Sequence, residues 1–183
     1  MNLAQWLRQT YAWLGFNVST EGYDVAALQE WASSLWRWMQ GATADALIMV
    51  ESSGNPYAHR QGSQFYGMLQ MGSAAAEDVG IPDQRVLNGN PDLALKAFWD
   101  YQRRYIERTQ GAPLFMAVLW HDGPGNLQKI MRQLQAGASV DAALGAGTPA
   151  IREYVDRYQQ WMKRIAGGYD VQARIDEHVS QRT

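Results

Sequence analysis

Apolar residues recur at helical spacing along almost the whole chain, and this pattern constrains the fold more than any other feature. The stretch that follows Pro149 places Ile151, Val155, Tyr158 and Met162 three or four positions apart, as one face of a helix requires. No stretch alternates apolar and polar residues for long enough to form a major sheet. The sequence therefore predicts a mainly α fold. It is an α+β fold only in the sense that it contains a very small β element.

Local start and stop signals predict where the helices lie. Asn90 and Pro91 form a typical start, Gly41 is expected to stop one helix, and Thr43 and Ser73 are expected to cap the next ones. The expected helices are 2–15, 24–39, 43–53, 73–80, 91–110, 113–121, 124–136, 149–166 and 170–180. The glycine-rich stretch 54–72 is expected to be a loop or a short β-hairpin.

The length of 183 residues suits one domain with small additions. We expect residues 1–40 to form an N-terminal helical pair packed on the body. Residues 41–166 are expected to form that body, and residues 167–183 a C-terminal helix. The N-terminal pair is rich in tryptophan, which favours packing over a separate docking role.

Composition excludes several classes of function. Sixteen basic and eighteen acidic residues give a net charge of −2, which argues against a nucleic-acid-binding protein. The absence of cysteine excludes disulfides, a thiolate nucleophile and cysteine-ligated zinc. The three histidines leave little room for a histidine-ligated metal site.

The sequence also bears on membranes and export. The longest apolar run, residues 114–120, is far shorter than the ~20 residues of a membrane-spanning helix. The N-terminus has no basic region before its apolar part, so we expect no classical signal peptide.

Glu51 is the first candidate for chemistry. It follows Leu47, Ile48, Met49 and Val50 at the end of an apolar helix. Apolar surroundings raise the pKa of a carboxyl group, as a general acid near neutral pH requires. On position alone, a solvated glutamate at a helix end is the more common situation.

Four segments in a fixed order change that balance. They are Glu51-Ser52 with Asn55-Pro56, then Gly67-Met68-Leu69-Gln70, then Trp120-His121-Asp122-Gly123, and finally Tyr154-Val155. In this order and with this spacing the chain resembles the soluble lytic transglycosylase (SLT) domain family, on the goose-type-lysozyme-like branch of the lysozyme superfamily. The resemblance covers about residues 43–166 and departs from the family pattern in three places. The loop between Asn55 and Gly67 is one residue longer than usual. Met68 and Leu69 are exchanged, and His121 and Asp122 replace an asparagine and an alanine.

The resemblance implies a lysozyme-like fold and cleavage of peptidoglycan glycan strands, with Glu51 as the catalytic acid and then base, and with no cofactor. It implies that Gln70 contacts the substrate near Glu51, that Gly67 lets the chain approach the sugar, and that Tyr154 holds Glu51 or an N-acetyl group. The implied substrate-binding residues are Ser52, Tyr66, Gly67, Met68, Gln70, Trp120, His121 and Tyr154.

Several alternatives stay open at this level. Gln70 could instead satisfy backbone groups of its loop, and Tyr154 could be plain core. Asp122 is expected to be solvated or paired with a nearby arginine or lysine. If it faced the sugar opposite Glu51, it would position a water and favour hydrolysis, which would make the protein a muramidase. A non-catalytic assembly protein with this fold is the third reading.

The resemblance implies action at the cell wall. Without a leader, a phage protein is favoured, either released with the help of a holin or carried in the virion, with a secretion-system enzyme as the other route. We expect a monomer that binds no nucleic acid and does not span a membrane.

Overall fold

Helices make up most of the protein, which confirms the mainly α prediction. The structure is a computed structural model that describes residues 25–109 and 111–182. The helices are α1 (Val25–Ser52), α2 (Ser73–Asp78), α3 (Pro91–Arg104), α4 (Ile106–Thr109), α5 (Pro113–Gln135), α6 (Val140–Leu144), α7 (Ile151–Ala166) and α8 (Val171–Ser180). A short 3₁₀ helix, Gln84–Leu87, precedes α3. The predicted helix at residues 2–15 lies outside the described residues.

Helix α1 runs without a break through the position where the sequence predicts a stop. Gly41 lies inside α1, so the expected boundary at residue 40 falls within a continuous helix. Gly41 is on the exposed face, while Met39 and Ala42 beside it are buried. Burial of the opposite face outweighs the roughly 1 kcal/mol that a glycine costs in a helix interior.

Thr43 is likewise not a helix cap. It is fully buried, and its hydroxyl donates to the Met39 carbonyl oxygen at 2.7 Å and hydrogen-bonds to the Tyr158 hydroxyl at 2.9 Å. Thr43 therefore joins α1 to α7, and no local signal in the sequence predicts this long-range contact.

The caps at the other helix ends agree with the predicted signals at some positions and differ from them at others. The Asn90 side chain caps α3 by accepting from the Leu93 amide, and Asp170 caps α8 by accepting from the Ala173 amide. Ser73 is the first residue of α2 and not its cap, since Gly72 occupies that position. Helix α3 ends at Arg104, and the short α4 fills the rest of the predicted span.

The β element of the described chain is a single antiparallel bridge between Tyr66 and Met71. It closes a tight turn in the loop between α1 and α2, where the sequence predicts a loop or hairpin. The Tyr66 and Met71 backbones exchange hydrogen bonds at 3.2 and 3.3 Å.

Helix α1 packs mainly against α7 and also against α5. The buried stripe of α7, with Tyr154 and Tyr158, faces it. Helix α5 is bent at Gly123, whose φ of 75° separates the two helical pieces that the sequence predicts. This arrangement brings together the end of α1, the first turn of α7 and the bend of α5.

Candidate active site

Glu51 lies in the last turn of α1, partly buried, where α7 faces it. The Tyr154 hydroxyl donates a hydrogen bond to Glu51 Oε1 at 2.7 Å. Burial raises the pKa of Glu51 to about 7, and the Tyr154 hydrogen bond and the charge of Arg157 hold it below the value that burial alone would give. A carboxyl group with this pKa can donate a proton near neutral pH and take one back.

Tyr154 comes from the buried stripe of α7 and is 2% exposed. Burial and the neighbouring Glu51 carboxyl raise its pKa well above the usual range, so the hydroxyl stays protonated and acts as a donor. Tyr154 is therefore both a core residue and the partner of Glu51. Ser52, next to Glu51, donates its hydroxyl to the Ile48 carbonyl oxygen at 3.1 Å and so supports the last turn of α1.

The Gln70 side chain holds the loop after α1 together through hydrogen bonds to the loop's own backbone. Gln70 Nε2 donates to the carbonyl oxygens of Ala58 at 2.8 Å and Gly67 at 2.7 Å, the structural role that the sequence left open. A Cβ on Gly67, whose φ is 75°, would lie 2.6 Å from the Leu87 carbonyl oxygen. The close approach that Gly67 permits in the structure is thus to Leu87.

The burial of Met68 corrects the predicted set of substrate-binding side chains. The Met68 side chain is completely buried in the core and has no surface with which to contact a substrate. Tyr66 is partly buried and stacks its ring on His59, with 4.1 Å between ring centroids. Its contact with a substrate stays a prediction.

A cleft of about 730 Å³ runs beside this loop. Gln70, Trp120 and His121 line it, together with the exposed Phe65 at its rim. The Trp120 indole Nε1–H donates to the Leu69 carbonyl oxygen at 3.1 Å, which fixes the ring in the cleft wall. Apolar and aromatic walls with a few polar groups are typical of a ligand site.

Glu51 and Tyr154 lie beside this cleft and do not form part of its wall. His121 connects the two parts of the site, since it lines the cleft and its ring centroid is 4.2 Å from that of Tyr154. The contacts therefore run from the cleft through His121 and Tyr154 to the Glu51 carboxyl.

The Asp122 carboxylate is neither solvated nor paired with an arginine or lysine, contrary to expectation. Its side chain has no exposed surface. It accepts hydrogen bonds from the Thr148 amide at 2.7 Å, from the Thr148 hydroxyl at 2.5 Å and from His121 Nδ1 at 2.6 Å. With its oxygens engaged in this way, Asp122 is not free to position a water.

Sequence reasoning missed the second role of two threonines and of the C-terminal helix. The sequence predicts Thr43 only as a cap, and no pattern in it indicates that Thr148 binds Asp122. Helix α8 supports the turn after Glu51, where His178 Nε2 lies 3.3 Å from the Ser53 carbonyl oxygen. Arg182, just beyond α8, lies over the ring of Tyr57 at 4.4 Å. No local motif predicts these contacts.

Neither a metal site nor a membrane-spanning helix lies within the described residues. Within residues 25–109 and 111–182, no three acidic or histidine side chains cluster closely enough to hold a metal ion. In the same ranges no helix has the length and apolar character needed to cross a bilayer.

Comparison with known proteins places the chain in a family. The family model described as the transglycosylase SLT domain matches residues 38–143, more than half of the chain. No curated protein and no solved structure matches it. The family match indicates a peptidoglycan-acting function of the lytic transglycosylase type. On this evidence the chain belongs to the transglycosylase SLT domain family.

Proposed function

We propose that the protein is a lytic transglycosylase that cleaves the β-1,4 bond between N-acetylmuramic acid and N-acetylglucosamine, with Glu51 as its catalytic residue. The observation that carries this proposal is the Glu51 carboxyl itself. It is partly buried, bonded by Tyr154 at 2.7 Å, and has a pKa of about 7. The family match supports the class of substrate.

In the proposed reaction, protonated Glu51 donates its proton to the glycosidic oxygen, and the bond from that oxygen to C1 of N-acetylmuramic acid breaks. The acetamido group of the same sugar stabilises the positive charge that develops at C1, as in other substrate-assisted cases. Glu51, now ionised, takes the proton of the C6 hydroxyl, whose oxygen bonds to C1. The product is a 1,6-anhydro sugar, and Glu51 ends protonated without consumption of water.

The Tyr154 hydroxyl supports both steps. Because it stays protonated, it can donate to Glu51 Oε1 whether that carboxyl is neutral or ionised, and so it holds the carboxyl in one orientation. Its bond to the ionised form is the stronger one, since charge-assisted hydrogen bonds exceed neutral ones. Glu51 can therefore lose its proton without losing its position.

The muramidase reading differs only in the last step, where water would attack C1 in place of the C6 hydroxyl. The residue proposed to position that water was Asp122, whose carboxylate is buried and bonded to Thr148 and His121. This geometry favours the transglycosylase outcome. The non-catalytic reading requires that Glu51 be dispensable.

The test is mass spectrometry of the fragments that the protein releases from purified peptidoglycan. We expect products that end in 1,6-anhydro-N-acetylmuramic acid. Glu51→Gln keeps the size of the side chain and should lower the rate by roughly a hundredfold or more, because proton transfer is lost. Glu153→Gln, whose side chain is 81% exposed on α7, is the matched control and should cleave normally.

Each other outcome contradicts a defined part of the proposal. Reducing-end products, heavier by one water, would make the protein a muramidase. Normal cleavage by Glu51→Gln would show that Glu51 takes no part in the reaction. Absence of any release by the folded protein would favour the non-catalytic reading.

A further inference from the structure

Asp122 carries a buried carboxylate that no step of the proposed reaction uses. A buried charge is costly unless hydrogen bonds compensate for the lost water. Thr148 supplies two of these bonds, from its amide to Oδ2 at 2.7 Å and from its hydroxyl to Oδ1 at 2.5 Å. Both groups come from the segment that leads into α7, so the carboxylate is fixed in position between the bend of α5 and the start of α7.

His121 supplies the third bond to the same carboxylate, with Nδ1 2.6 Å from Oδ1. All three partners can donate, as an ionised carboxylate requires, because it only accepts. An Nδ1–H of neutral His121 would complete this set of donors and would leave Nε2 as an acceptor. Among the residues that the structure describes, none hydrogen-bonds to His121 Nε2.

The imidazole of His121 forms part of the cleft wall, where an acceptor nitrogen could contact a bound ligand. It lines the 730 Å³ cleft, and its side chain is 26% exposed. Its other side packs on Tyr154 at 4.2 Å between ring centroids, and Tyr154 bonds Glu51. One end of the ring is thus fixed by Asp122, and the ring as a whole lies between the cleft and the candidate catalytic acid.

We propose that Asp122, anchored by Thr148, is a positioning residue that holds His121 as the Nδ1–H tautomer, so that Nε2 accepts a hydrogen bond from a hydroxyl or acetamido N–H of the sugar bound beside Glu51. This inference rests on the proposed function, because it requires a glycan in the cleft. It makes His121 a specificity-determining residue, since a site built to bond a polar group discriminates against ligands that lack it.

The tautomer of His121 can be measured without any catalysis. Nitrogen NMR of the imidazole rings distinguishes the two tautomers, and the chain has only three histidines, so a His121→Gln variant assigns the signals. With the ring neutral, we expect the Nδ1–H form in the wild type. In Asp122→Asn we expect a shift towards the Nε2–H form, because the carboxylate acceptor is gone. An Nε2–H wild type, or a tautomer that Asp122→Asn leaves unchanged, overturns the proposal.

The contact with sugar is tested by titrating a soluble N-acetylglucosamine–N-acetylmuramic acid oligosaccharide into the Glu51→Gln variant, which binds without cleavage. We expect the His121 Nε2 signal to move on binding. Adding Asp122→Asn should weaken the affinity roughly threefold to tenfold, the loss expected for one hydrogen bond. Adding Asp141→Asn, which removes the same charge at a side chain that is 85% exposed, should change nothing.

If Asp122→Asn does not fold, His121→Phe tests the same bond. It keeps an aromatic ring against Tyr154 and lacks both nitrogens, so it should lose affinity to a similar extent. Unchanged affinity, or an Nε2 signal that does not respond to bound sugar, overturns the proposal. Failure of the proposed function is a different result, namely wild-type protein that gives no 1,6-anhydro product.

Discussion

The carboxyl group of Glu51 is subject to two opposing effects at the scale of one residue. Burial at the end of α1 raises its pKa to about 7, while the Tyr154 hydroxyl and the Arg157 charge act to lower it. A pKa near neutrality leaves both the acid and the base form populated, and the proposed reaction uses both. Glu51 and Tyr154 could be singled out from the sequence as candidates. The hydrogen bonds of Asp122 could not be predicted, because its partner Thr148 is 26 residues away.

Tyr154→Phe separates the positioning of Glu51 from the chemistry. The variant keeps the ring in the core and removes the hydrogen bond that lowers the pKa of Glu51, so that pKa should rise. A general acid works while protonated, so the loss of kcat/KM at high pH should move to higher pH. We also expect roughly tenfold lower kcat/KM at the optimum, a change of about 1.4 kcal/mol in the barrier, because Glu51 is held less firmly.

The measurement is a pH profile of peptidoglycan cleavage. Tyr169→Phe, at a residue that is 40% exposed, serves as the matched control and should keep the wild-type profile. A high-pH limb that stays in place or moves to lower pH would contradict the assigned role of Tyr154.

At the scale of elements, the loop between α1 and α2 shows how a glycine can be required by the protein itself. Gly67 and Gly62 both have positive φ, 75° and 80°. A Cβ on Gly67 would collide with the Leu87 backbone at 2.6 Å, whereas a Cβ on Gly62 would meet nothing within 4 Å. The resemblance implied a close approach of sugar at Gly67, but the structure shows that a backbone contact alone already excludes a side chain there.

We therefore expect Gly67→Ala to destabilise the protein clearly more than Gly62→Ala. Gly62→Ala should cost about 1–2 kcal/mol, the strain of a left-handed conformation with a Cβ. Gly67→Ala adds a clash with backbone that can be relieved only by moving the 3₁₀ helix at Gln84–Leu87. Urea unfolding of both variants measures the difference, and equal free energies of unfolding would contradict it.

At the scale of the whole molecule, the candidate site depends on chain that lies beyond the family match. The match ends at residue 143, yet α7 supplies Tyr154 and α8 supports the turn after Glu51. The hydroxyls of Thr43 and Tyr158, 115 residues apart, bond at 2.9 Å between α1 and α7 and help to fix the distance between Glu51 and Tyr154. The site thus needs the late helices to be packed on the early one.

A double-mutant cycle on Thr43→Val and Tyr158→Phe tests this long-range contact. Each single variant should lower the free energy of unfolding by about 1–3 kcal/mol, because a buried hydroxyl loses its partner in this pair. The double variant should cost less than the sum by about 1 kcal/mol, the coupling typical of side chains in direct contact. Additive costs, measured by urea unfolding, would show that the two hydroxyls do not interact.

Much of the helical fold could be predicted from sequence because its signals are local. The Asn90 cap, the bend at Gly123 and the buried stripe of α7 all act within a few residues of chain. The prediction failed at Gly41 and Thr43, where local signals for a break compete with burial. There the packing of α1 on α7 and α5 outweighs the helix-breaking tendency.

The sequence by itself determined that the chain is mainly helical and that it has the ordered segments of the SLT family, and it made Glu51 and Tyr154 the leading candidates for the site. Only the tertiary structure decided which groups those residues meet. It buried Met68, turned Gln70 onto the loop backbone, and bonded Asp122 to Thr148 and His121. The physical reason is that helix periodicity and capping depend on neighbours in sequence, whereas burial and hydrogen-bond partners depend on residues that packing brings together from distant parts of the chain.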